Sequence, residues 1–151
     1  MVGPRISLSA TGIPRLLVIA GGWNSKYLKT CEKYKKPANK WCGIPCLSHA
    51  RAKPGLVVLE SLVAFCFCGT QGNKELNSIE RVQLGFGSEW RTLGLNSRIA
   101  KTFNLGAASM RNRIVVFGGE DYVSYIMFAF TEEGEFQEDL SSEPPLPGAL
   151  Y

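Results

Sequence analysis

Histidine is nearly missing from this chain, with His49 the only one in 151 residues. A nucleophile–histidine triad would have to use that one imidazole with Cys42 or Cys46, and any centre built on two histidine ligands is excluded. No Asn-x-Ser/Thr sequon occurs, and the cysteines number five, an odd count. Together these point away from a secreted disulfide framework and towards reduced thiols in the cytoplasm or another reducing compartment. Long apolar runs are also lacking. Leu16 to Gly22 is bounded by Arg15 and by Trp23-Asn24, and Leu56 to Cys68 is interrupted by Glu60-Ser61. Both fall short of the ~20 apolar residues a membrane span needs, so no membrane segment is expected. Excess charge is small: 17 basic against 13 acidic residues leave +4. That is too little for a polyanion-binding surface, and no nucleic-acid partner is expected. Nor is there a phosphate loop, since Gly85-Phe-Gly87 is followed by Ser-Glu-Trp, with neither Lys-Ser/Thr nor a helix start.

Glycine, by contrast, is abundant, at 16 residues in a chain that is 45% hydrophobic and 20% charged. This excludes global disorder and favours a single turn-dense, all-β domain over a helical bundle. A repeat orders it. Three β-rich runs end at glycine: Leu-Leu-Val-Ile-Ala-Gly21-Gly22, Ala-Phe-Cys-Phe-Cys-Gly69-Thr70 and Arg-Ile-Val-Val-Phe-Gly118-Gly119. Trp41 and Trp90, Glu32 and Glu80, and Arg51 and Arg98 recur at nearly the same interval of a little under fifty residues.

Alternating or continuous β-branched stretches separated by turn signals predict four short antiparallel strands in each unit. In the middle unit these are Leu56 to Leu59, Leu62 to Cys68, Asn77 to Gln83 and Trp90 to Leu93, with a hairpin turn at Glu60-Ser61. The third unit offers Leu105 to Ser109, Arg113 to Phe117, Tyr125 to Phe130 and a degenerate strand near Phe136, with a turn at Arg111-Asn112. The first offers Ile6 to Ser9, Leu16 to Ala20, Thr30 to Tyr34 and Trp41 to Cys42. Four strands per unit is the make-up of a propeller blade. The blades are placed at about 6–45, 55–94 and 104–139, and the Pro-rich residues 141–151 read as a tail, because proline cannot continue a central strand.

The double glycine ending a strand, then Tyr34, six residues and Trp41, resembles the kelch repeat. The signature positions are Gly21, Gly22, Tyr34 and Trp41 in the first unit, Gly69 and Trp90 in the second, and Gly118 and Gly119 in the third. In the second unit Gly69-Thr70 stands for the pair, Val82 for the tyrosine, and seven residues precede Trp90. The resemblance implies kelch-like β-propeller blades, about three, in an incomplete ring, with Trp41 and Trp90 as inter-blade core. It further implies a protein-binding scaffold rather than an enzyme. In relatives this serves ubiquitin-ligase adaptors or cytoskeletal organisation. Copper oxidases built on such propellers need two histidine ligands and are excluded.

Recognition on such a scaffold belongs to loop tips. The candidate partner-binding residues are Trp23, Asn24, Lys26 and Tyr27 in the first unit, Asn73 and Lys74 in the second, and Glu120, Asp121 and Tyr122 in the third. His49, Arg51 and Arg98 lie in segments leading to the next blade, where recurrence in register gives the arginines a structural reading as well. Cys42, Cys46 and His49 have plausible zinc spacing but lack a fourth ligand, so they read as loop residues without metal. Cys66 and Cys68, two apart, read as core thiols on one strand face. No cofactor, metal or catalytic residue is expected. Alternatives are a truncated repeat fragment without activity of its own and a metal-dependent enzyme, for which only Glu75 and Glu120-Asp121 sit in suitable loops. Glu132, Glu133 and Glu135 read as a solvated hairpin. Charge is nonetheless patterned, with Lys26, Lys29, Lys33, Lys35, Lys36 and Lys40 in the first unit and only acidic charge over residues 132–143. Three blades leave flanks open, so the chain is expected either to self-associate or to belong to a longer protein.

Overall fold

A computed structural model of the chain describes residues 3–85, 88–93, 104–110, 113–118, 127–130 and 136–139. Three four-stranded antiparallel sheets follow one another along the chain. Blade one orders β1 (Ser9–Ile13), β2 (Leu16–Ala20), β5 (Cys31–Lys35) and β6 (Lys40–Ile44) from one edge to the other. Blade two does the same with β7 (Gly55–Val58), β8 (Val63–Phe67), β11 (Ile79–Gln83) and β12 (Arg91–Leu93). Blade three comprises β13 (Leu105–Met110), β14 (Arg113–Gly118), β15 (Met127–Phe130) and β16 (Phe136–Asp139). Two small ribbons complete the described strands, β3 (Trp23–Asn24) with β4 (Lys26–Tyr27), and β9 (Thr70–Gln71) with β10 (Lys74–Glu75). The expected architecture of kelch-like blades in an incomplete ring is the one observed.

The first strand lies later than Ile6 to Ser9. Ser7 has φ +52, which breaks any extended run through it, so Ile6 makes only an isolated bridge to Trp23 and the strand starts at Ser9. The middle hairpin turns at Glu60-Ser61 as expected, where Leu59 N–H donates to Val63 O and Leu62 N–H to Leu59 O. The Arg111-Asn112 turn, Tyr125, Gly87 and Phe86, the acidic hairpin residues 132, 133 and 135, and the 141–151 tail lie outside the described residues.

Register also reassigns the second glycine pair. Ala20 pairs with Cys31, Phe67 with Ile79 and Phe117 with Met127, so the equivalent pairs are Gly21-Gly22, Cys68-Gly69 and Gly118-Gly119. The first position of each carries positive φ: +65 at Gly21, +52 at Cys68 and +86 at Gly118. Cys68 therefore occupies a left-handed position that glycine fills in the other blades. The left-handed turn also overturns the expectation that Cys66 and Cys68 share a face. Cys66 packs with Val18, Ala20 and Cys31 of blade one, whereas Cys68 packs with Phe65, Phe67 and Leu105 on the side of blade three.

Blade two is thus covered on both sides. One core, with Val18, Leu47, Leu56, Val58, Val82 and Trp90, joins it to blade one. The other, with Val57, Phe65, Phe67, Leu105, Ile114 and Val116, joins it to blade three. This explains why β7 and β8 are apolar throughout instead of alternating, since neither face of these strands meets water.

Candidate functional site

Blades one and two each begin with a segment that crosses the end of the blade's own second strand, and backbone geometry fixes that crossing. Ile6 and Trp23 exchange two main-chain hydrogen bonds of 3.0 and 2.8 Å, and Ala52 and Thr70 repeat this at 2.9 Å each way. The glycine pair makes room: a Cβ on Gly69, at φ +100, would sit 2.7 Å from Ala52 O. Successive crossings are laced together, because Lys53 N–H donates to Ser7 O at 2.8 Å and Asn104 N–H to Lys53 O at 3.3 Å. Ser7, Lys53 and Asn104 share φ values of +52, +53 and +60, so one backbone turn recurs in all three blades.

A buried arginine locks each of these two crossings. Arg51, with no exposed side-chain surface, donates to Cys68 O (2.7 Å), Ser78 O (3.1 Å), Ser78 Oγ (2.9 Å) and Glu80 Oε1 (2.5 Å). The Glu80 carboxylate also accepts from Ser48 N–H (2.6 Å) and His49 N–H (3.3 Å) of the segment that links blades one and two. Blade one uses Arg5 in the same way, donating to Gly21 O (3.1 Å), Thr30 O (3.0 Å) and Glu32 Oε1 (2.6 Å). These are charge-assisted bonds between largely buried side chains, whose partners offset much of the cost of desolvating the charges. Arg51 is therefore not a rim residue available to a partner. It recurs in register for a structural reason. Arg5 was missed in the sequence because its position relative to Glu32 repeats only once Arg51 is aligned with it.

Anchored this way, the two ribbons stand out from the sheets and enclose a groove of about 680 Å³ lined by Ile6, Ser7, Trp23, Tyr27, Ala52, Lys53, Thr70, Gly72, Asn73 and Glu75. Trp23 and Ile6 are 41% and 63% exposed, large for apolar side chains of their size. Of the expected partner-binding residues, the groove brings together Trp23, Tyr27 and Asn73. Asn24, Lys26 and Lys74 are exposed on the same ribbons but outside its lining. Ile6, Ser7 and Ala52 were not foreseen, since only the crossing of the incoming segments places them at the ribbons. Arg98, Glu120, Asp121 and Tyr122 lie outside the described residues.

His49 projects from the linker, its side chain 54% exposed and Nδ1 3.9 Å from Glu80 Oε1, away from the groove lining. Among the described residues no three His, Cys, Asp or Glu side chains gather to hold a metal ion, so Cys42, Cys46 and His49 are not assembled into a site. Cys46 is exposed and Cys42 half-buried, while Cys31, Cys66 and Cys68 are buried. Burial, the dominant cause, pushes the Cys66 thiol up to about 12 and raises the Cys31 thiol strongly too. Both are protonated, inert core side chains.

Residues 4–48 match the Kelch motif. The matched stretch runs from just before Arg5 to Ser48, so it takes in the crossing segment, the Gly21-Gly22 turn, Glu32, the Tyr34–Trp41 pair and the linker to blade two. That stretch is a kelch repeat. No curated protein matches it. Within the matched repeat the tyrosine and tryptophan of the signature pack together, ring centroids 5.4 Å apart and tilted by 47°. In the second repeat Trp90 keeps its place but stands against Val82, and its Nε1–H donates to Pro45 O at 2.8 Å. The expectation that both tryptophans are inter-blade core holds for Trp90, which is buried between blades one and two. Trp41 is only half-buried, because it lies on the face of blade one turned away from blade two.

Proposed function

We propose that this kelch-repeat chain is a non-enzymatic protein-binding scaffold, working in a reducing compartment, that seats a segment of its partner in the groove between the two ribbons. The observation that carries this reading is the groove itself. It is a concave site whose exposed apolar anchors, Ile6 and Trp23, stand beside the polar groups of Asn73, Thr70 and Glu75 on a backbone fixed by the Ile6–Trp23 and Ala52–Thr70 bridges. Tryptophan and tyrosine are the residue types that contribute most at protein interfaces, and a rigid frame lowers the entropy lost on association. Its lining contains one carboxylate, Glu75, and no histidine. Such a set supports binding more readily than proton transfer between paired groups. The buried, protonated thiols of Cys31 and Cys66 serve as small apolar side chains, which suits a compartment that keeps cysteines reduced.

The test compares proteins retained by the wild-type chain with those retained by Trp23→Ala/Tyr27→Ala. Both side chains stand on the ribbons outside the inter-blade cores, so the unfolding midpoint should stay within a few degrees of wild type. Partners retained by the wild type should be lost from the variant. An unchanged set of partners, with the variant folded, overturns the assignment of this groove.

A further inference from the structure

The face of blade one turned away from blade two repeats, position by position, the face of blade two that blade one covers. By strand register Leu17, Ile19, Tyr34 and Trp41 correspond to Ala64, Cys66, Val82 and Trp90. In blade two all four are buried under the neighbouring blade. In blade one Ile19 is buried, but Leu17, Tyr34 and Trp41 are only partly covered. The structure thus contains, one blade along, a picture of what this surface is shaped to receive: an apolar sheet face. The opposite end of the arc offers one. Val115 and Phe117 correspond to Phe65 and Phe67, which blade three covers in blade two; Val115 is already buried within the chain, whereas Phe117 is 42% exposed with its ring over Gly106.

Charge matches these two ends. The outer strands of blade one, β5 and β6 with the turn between them, carry Lys33, Lys35, Lys36 and Lys40, and the outermost strand of blade three, β16, carries Glu138 and Asp139. Stacking the two ends would bring the basic edge strands of blade one together with an edge strand of acidic sequence, which favours that pairing over blade one on blade one.

We propose that two copies of this chain associate head to tail, the Phe117-bearing face of blade three in one copy covering the Leu17–Tyr34–Trp41 face of blade one in the other, and the reverse at a second, equivalent seam. The closed pair has six blades, within the four to eight that propellers use. The contact joins two different surfaces, so closure depends on the angle between blades, and failure to close would give open chains.

Sedimentation of the whole chain over a wide concentration range tests this, with Trp41→Glu and Phe117→Glu. The wild type should pass from monomer to dimer, weakening at high salt. Each variant should remain monomeric, its dissociation constant raised at least tenfold. An equimolar mixture of the two variants keeps one intact seam and should recover a weaker dimer, which neither variant forms alone. A wild-type chain that stays a cooperatively folded monomer at the highest concentration overturns the proposal, as does a mixture of folded variants that fails to pair. Polymers that both variants abolish would support the contact and overturn its closure. If Trp41→Glu does not fold, oxidation of Trp41 in the wild type serves instead: protection should rise with concentration, and constant reactivity overturns the contact.

Discussion

Arg51 shows how a single side chain can hold two blades. Its guanidinium satisfies the main-chain carbonyls of Cys68 and Ser78, and its partner Glu80 satisfies the N–H groups of Ser48 and His49, so the pair stitches blade two to the linker from blade one. Removing one member of a buried ion pair leaves the other uncompensated, and Arg51→Met should cost about 3–5 kcal/mol in denaturant unfolding. Many buried pairs can be exchanged together for apolar residues at little cost. Here the double variant Arg51→Met/Glu80→Leu should remain destabilised, because the bonds from the pair to Cys68 O, Ser48 N–H and His49 N–H go along with the charges, while Ser78 O keeps its bond from Cys68 N–H. Recovery of wild-type stability by the double variant would show that those backbone bonds contribute little. The arginine's recurrence was visible in the sequence, but its role was not. Nothing in a spacing separates a rim arginine from one folded inward, and only the approach of Gly21, Cys68 and Ser78 to its side chain decides.

At the scale of strands and turns, composition and period placed most of the described strands to within two residues, because strands tend to end at a glycine or polar turn that physical chemistry marks in the sequence. Two features escaped. Positive φ at Ser7 and Cys68 is a property of non-glycine residues held by their surroundings, and it displaced the first strand and the second glycine pair. The ribbons β3–β4 and β9–β10, two residues a strand, are too short for periodicity to register, and the groove they enclose was legible only as a set of loop residues. The two tryptophans illustrate the remaining gap, since one signature position gives two environments. Trp90 is buried and hydrogen-bonded to Pro45 O, so Trp90→Ala should cost ~3–5 kcal/mol. Trp41, half-buried against Tyr34, should cost roughly half of that in dilute solution. Equal losses for the two variants would mean that the outer face of blade one is covered even when the protein is dilute.

For the molecule as a whole, the two cores of the described residues each join blade two to one neighbour, so stability is distributed as intrinsic blade terms plus two interfaces. Blade two takes part in both interfaces and has both faces of β8 buried, whereas the described residues of blades one and three each join one core. Opening the arc from either end exposes a single interface, while freeing β8 requires both to separate. Amide hydrogen exchange should therefore be slowest at residues 63–67 and faster in β2 and β14, with the outer strand β6 faster still. Concentration adds a second dimension. If two copies cover each other's outer blades, protection in β2 and β14 should rise towards that of β8 as the protein is concentrated, while β8 itself changes little. Mass spectrometry of exchanged peptides at low and high protein concentration resolves this. Equal protection of β2, β8 and β14 at every concentration would show a single cooperative unit in which the middle blade has no special place, and would refute the nearest-neighbour account of its stability.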